Sequence, residues 1–112
     1  MNINNYTLNI NRCIEKIKQD PEYIINIPES DRTLYICKEA LKQDPMTIFY
    51  VPDNIMTYNM CLEAVSLNGA VLEFVPEKYK SYEICYIAMQ DYPEALQFVP
   101  DVFKNVGGNI SV

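Results

Sequence analysis

Apolar residues recur along the chain every 24 positions, and the columns they form predict the elements directly. Stacking residues 7–30, 31–54, 55–78 and 79–102 aligns Ile10, Leu34, Tyr58 and Tyr82. Cys13, Cys37, Cys61 and Cys85 follow three positions later, then Lys16, Ala40, Ala64 and Ala88, then Ile17, Leu41, Val65 and Met89. Offsets of 0, 3, 6 and 7 lie close to one face of a 3.6-residue helix. Asn9, Thr33, Thr57 and Ser81 precede these columns, and such side chains accept bonds from the orphan N–H groups of a first helical turn. The pattern predicts a helix of about ten to twelve residues in each copy.

That helix stops at Asp20-Pro21, Asp44-Pro45, Asn68-Gly69 and Tyr92-Pro93. Asp or Asn before Pro suits an N-cap with proline at the first helical position, so a second, shorter helix is expected. Its apolar columns are Ile24/Ile48/Leu72/Leu96 and Ile27/Val51/Val75/Val99, three residues apart and therefore on one face. Pro28, Pro52, Pro76 and Pro100 close it by disfavouring α geometry in the residue before them. A strand competes for residues 48–51, which are β-branched and aromatic, but the sister copies do not alternate, which favours helix. All seven prolines fall in two columns of the repeat, with Gly69 in the one vacant place.

A period of this length marks units that bury their apolar faces only by stacking. The expected fold is all-α: a short α-solenoid of four 24-residue helix-turn-helix repeats, each with a longer helix A and a short helix B. It would form one domain over residues 1–112, with 103–112 as a C-terminal tail. The first copy is the most polar at the core columns, with Lys16 and Asn26, as a terminal capping repeat is. At the other end, Asn105 and Val106 begin a would-be fifth copy that Gly107-Gly108 ends. The last copy is then left with Phe103 and Val106 over its apolar face.

The run Ala64-Val65, Asn68-Gly69, Leu72 and Phe74-Val75-Pro76, echoed by residues 95–100, resembles the short repeats called "domain of unknown function 4116". The resemblance extends over Thr33–Pro52 and is strongest over Thr57–Pro100. It implies tandem helical repeats, of the kind found in proteins of bacteria and large viruses, often beside other modules. It implies no catalytic residue, because the family's activity is itself undefined.

Composition narrows the function classes. The 112 residues carry a net charge of −6, with a sequence pI near 4.5, which argues against a nucleic-acid partner. Lys16, Lys18, Lys38 and Lys42 form only a small basic patch, read as a solvated face. No apolar run approaches the ~20 residues that span a bilayer, and Met1-Asn2-Ile3-Asn4-Asn5 lacks the features of a signal peptide. Evenly spaced cysteines offer neither a C-x-x-C metal pair nor a dense disulfide framework. Helices ~8–10 Å apart exceed the reach of a disulfide, so four free thiols and a reducing, cytoplasmic setting are expected.

There is no histidine to serve as a base. Glu15, Glu39 and Glu63 repeat at one phase, with Ile87 breaking the set, and read as exposed helix positions rather than one acid–base site. No enzyme activity, cofactor or metal is therefore expected. Two features could serve binding. Glu29, Asp53, Glu77 and Asp101 follow the closing prolines, either as turn chemistry or as an acidic ladder that steers a basic protein or peptide. Tyr35, Tyr86 and Tyr92 lie off the core columns, unlike Tyr50, Tyr58 and Tyr82, and tyrosine suits binding hot spots. The reading is a non-enzymatic protein-interaction module contacting its partner through Glu29, Asp53, Glu77, Asp101, Tyr35 and Tyr86. Alternatives are self-assembly through the C-terminal repeat, or an acidic immunity- or inhibitor-type protein.

Overall fold

A computed structural model describes residues 3–104, with side chains from Asn9 onward. All regular structure among the described residues is helical. The chain divides into two compact units, Met1–Ile55 and Met56–Val112, and the boundary falls where the second copy gives way to the third. In the first unit, helix α1 (Ile3–Gln19) packs on α2 (Leu34–Gln43). Each is followed by a six-residue 3₁₀ segment, Pro21–Asn26 and Pro45–Tyr50. In the second unit, α3 (Tyr58–Leu67) packs on α4 (Tyr82–Asp91), with 3₁₀ segments Gly69–Phe74 and Pro93–Phe98, and α5 (Asp101–Lys104) follows.

The caps stand where the columns place them. Thr33, Thr57 and Ser81 accept from the N–H groups of Ile36, Met60 and Ile84 at 3.3, 3.1 and 3.1 Å. At the other end one residue does two jobs. The N–H of Asp44 bonds the carbonyl of Ala40, while its carboxylate accepts from Met46 N in the next segment. Asn68 repeats this with Ala64 and Ala70, and Asp20 with Lys16 and Glu22. Tyr92 closes α4 through its backbone alone. Helix and 3₁₀ segment are thereby joined by a single extended residue.

Helix B is 3₁₀ in all four copies, including the third, where Gly69 stands in place of the opening proline. Each closing proline leaves it only six residues, too few for a ladder of i→i+4 bonds, whereas i→i+3 bonds still close. At ~2 Å per residue the segment spans ~12 Å, close to the ~15 Å of a ten-residue α-helix, so the chain returns near its starting level. The residues before the closing prolines, Ile27, Val51, Val75 and Val99, are all extended, with ψ of 126 to 133°. All four are buried.

Three sequence expectations change. Asn9 is not a cap: α1 runs through it from Ile3. Copies two to four have a closing proline upstream of the cap and copy one has none, so nothing halts its helix there. The first apolar column is not core, since Leu34 and Tyr82 are exposed while Ile10 and Tyr58 are half-buried. Its place is taken two residues on by Ile36, Met60 and Ile84. At ~100° per residue the buried set 36, 37, 40 and 41 centres about a quarter-turn from Leu34, which therefore sits beside the face. The tyrosines assigned to the core, Tyr50, Tyr58 and Tyr82, are likewise half-buried or exposed.

The remaining columns hold except at Cys13 and Leu96. Cys37, Cys61, Cys85, Ala40, Ala64 and Ala88 have no exposed surface, and Ile24, Ile48 and Leu72 are buried. Leu96 is half-buried. Lys16 and Asn26, the polar substitutions of the first copy, are exposed, as a capping repeat requires. The would-be fifth copy, Asn105 to Gly108, lies outside the described residues.

Candidate protein-binding surface

Each of the four post-proline acids opens a short turn. Glu29 begins the 3₁₀ turn Glu29–Asp31, Glu77 begins Glu77–Tyr79, and Asp101 begins α5. Asp53 begins the turn that ends at Ile55. All four are exposed. An acid at the first turn also opposes the positive end of the helix, so turn chemistry and surface charge coexist at these positions.

Their surroundings differ between the units. In the first unit Glu29 and Asp53 line one open groove of about 730 Å³ with Arg32 and Thr33. In the second unit each acid has a cation beside it. Glu77 meets Lys80 at 2.9 Å and Asp101 meets Lys104 at 3.7 Å. Tyr35 is 71% exposed, the most open aromatic among the described residues. Tyr86 is 43% exposed and lies against Tyr82, with ring centroids 6.3 Å apart. Tyr92, expected at the surface, is half-buried beside Gly69.

Two cations escaped the sequence reading. Arg32 and Lys80 occupy the position before the caps of α2 and α4, 48 residues apart. Arg32 donates from Nε to the carbonyl of Ile27 at 2.9 Å and from Nη1 to that of Tyr50 at 2.8 Å. Lys80, its side chain only 8% exposed, donates to the carbonyl of Phe98 at 3.0 Å and to Glu77. Each cation thus takes up a carbonyl at the end of a 3₁₀ segment and ties two neighbouring copies together. The signal was available as a cation in a column that elsewhere holds Leu8 and Met56.

Three of the four cysteines behave as core. The four thiols are free, and burial pushes those of Cys37, Cys61 and Cys85 up to about 11. A neutral, enclosed thiol is a poor nucleophile. Cys13 is only half-buried and lines a separate cavity of about 370 Å³ in the first unit. Glu15, Glu39 and Glu63 stay one per copy: Glu15 pairs with Lys18 at 3.8 Å, and Glu39 accepts from Gln43 at 2.6 Å. Among the described residues no three His, Cys, Asp or Glu side chains converge as metal ligands. No helix among them is long and apolar enough to cross a membrane.

The family described as Domain of unknown function (DUF4116) matches the chain twice, over residues 34–80 and 57–104. Together the two matches cover more than half of the chain. The chain belongs to the DUF4116 family. The matches overlap in registers about one repeat apart, and the first begins at Leu34, the first residue of α2. One DUF4116 match thus spans two copies of the repeat, each with its α-helix and its six-residue 3₁₀ segment complete. No match was found among the curated proteins or the solved structures.

Proposed function

We propose that this DUF4116 chain is a non-enzymatic helical-repeat module that binds a basic protein or peptide through its post-proline acids. The four copies form one α-solenoid in this reading. Its support is the 24-residue register, which continues through Ile55 and Met56 without a break in the sequence. The observation that carries the binding reading is the pair Glu29 and Asp53, both exposed and lining one groove. Arg32 also lines that groove, and its guanidinium is engaged by two backbone carbonyls. A net charge of −6 adds long-range attraction for a basic partner and makes association salt-sensitive.

The test is capture of partners from an extract at low and high salt, with the wild type beside Glu29→Lys/Asp53→Lys. The double variant loses a salt-sensitive partner while melting at the wild-type temperature. Equal capture by both proteins would overturn the reading.

Self-assembly through the last copy is a second reading. Tyr82 and Tyr86 are exposed side by side there, Phe103 packs edge-on against Tyr82 at 5.7 Å, and Val102 beside it in sequence is exposed too. Such a patch suits a second copy of the chain. Sedimentation that stays monomeric at high concentration would remove this reading.

A further inference from the structure

The two units are built on the same columns, yet the seam between paired copies is closed in one and open in the other. In the second unit two phenols cross it. Tyr58, at the start of α3, donates to Glu83 at 3.0 Å and contacts Ser81 Oγ at 2.7 Å. Tyr79 reaches back to the carbonyl of Met56 at 3.2 Å. The equivalent positions in the first unit are Ile10 and Asp31, and Asn26 stands where the second unit has Phe74. Three rings are thus replaced by an aliphatic chain and two short polar groups, and the first unit gains one ring in return, Tyr23 at the cavity where the second unit has Val71. Ile10, Asn26 and Asp31 all line the 370 Å³ cavity of the first unit, with Ile27 and Ile36 supplying apolar wall. This volume lies within the range of pockets that hold small ligands.

The cavity is continuous in sequence with the acidic groove. Ser30 and Thr33 line both, Asp31 stands at the cavity, and Glu29 and Asp53 stand at the groove. We propose that the first unit binds a partner peptide by seating one aromatic side chain in this cavity, with flanking basic residues over Glu29, Asp31 and Asp53. The ring replaces those the second unit supplies to itself, and the carboxylates select the basic flanks. The proposal deepens the reading above and rests on it for the partner being basic.

The experiment titrates the full ¹⁵N-labelled chain with the peptide acetyl-Lys-Lys-Phe-Lys-Lys-amide and follows amide shifts. Controls are the same peptide with Ala for Phe, and p-cresol alone. The Phe peptide shifts amides within residues 9–36, and the Ala peptide binds about tenfold or more weakly, the equivalent of one buried ring. Asn26→Phe/Asp31→Tyr restores two of the three rings of the second unit, raises the melting temperature and abolishes the shifts. Glu29→Lys/Asp53→Lys weakens the Phe peptide without altering the fold.

Equal binding of the Phe and Ala peptides would overturn the aromatic pocket and leave the acidic surface standing. Saturation by p-cresol with no gain from basic flanks would overturn the peptide in favour of a small aromatic ligand. No shifts with any of the three would also overturn the pocket, while partner capture by the Glu29→Lys/Asp53→Lys pair judges the acidic surface separately.

Discussion

Gly69 shows how one residue can depart from a column for a structural reason. The other copies have proline there. Gly69 instead donates its N–H to Asp91 at 2.8 Å, a bond proline cannot make. A Cβ at this site would run into the carbonyl oxygen of Ala88 and meet Cβ of Tyr92 at 3.0 Å. Gly69→Ala therefore lowers stability by about 1–3 kcal/mol, the usual cost of overpacking, and Gly69→Pro lowers it further. Urea denaturation checks both, and an unchanged midpoint would contradict the contact. The buried thiols make a second residue-scale prediction. Their folded pKa of about 11 exceeds the ordinary 9.0, so the native chain holds protons that the unfolded chain releases. Their contribution to stability is intact below pH 9 and is lost as pH rises towards 11. Melting temperature falls less steeply over that range in Cys61→Ala than in wild type. Parallel curves would show the thiol to be silent.

At the scale of the element, the sequence spoke clearly wherever one residue type has one mechanism. The Ser/Thr caps, the Asp/Asn hinges and the closing prolines each act locally, so their columns located α2, α3, α4 and the six-residue segments after them, but not the turn Glu77–Tyr79. The start of α1 and the buried face were harder. Asn9 resembles a cap in type, but without an upstream proline the helix passes through it. Leu34 is as apolar as any core residue, and only its angle on α2 places it beside the buried face. Arg32 and Lys80 were hidden for another reason: their partners are backbone carbonyls, which no side-chain pattern records. Met56 fills the corresponding column in the third copy, so Arg32→Met is the informative exchange. It leaves the carbonyls of Ile27 and Tyr50 without their charged donor and costs about 2 kcal/mol. Chemical denaturation measures it. A loss near zero would mean that water replaces the guanidinium at no cost.

At the scale of the molecule, the question is whether four copies behave as one array. Repeats that contact only their neighbours are stabilised by their own contacts and by the interfaces between them. One copy cannot bury its helix face alone, which is why α1 with α2 and α3 with α4 form compact pairs. A continuous solenoid adds coupling along the whole register, and that coupling can be read. Ile84 has no exposed surface and lies in the core of the second unit, so Ile84→Ala destabilises that unit by about 2–5 kcal/mol. In a coupled array the amides of α2, in the other unit, also lose protection against hydrogen exchange. They lose less than the amides of α3 and α4, because coupling between repeats is partial. Loss confined to residues 56–104 would mean two independent pairs that share a chain. The proposed binding surface is then the property of one pair, because the groove holding Glu29 and Asp53 is built wholly from residues 29–55.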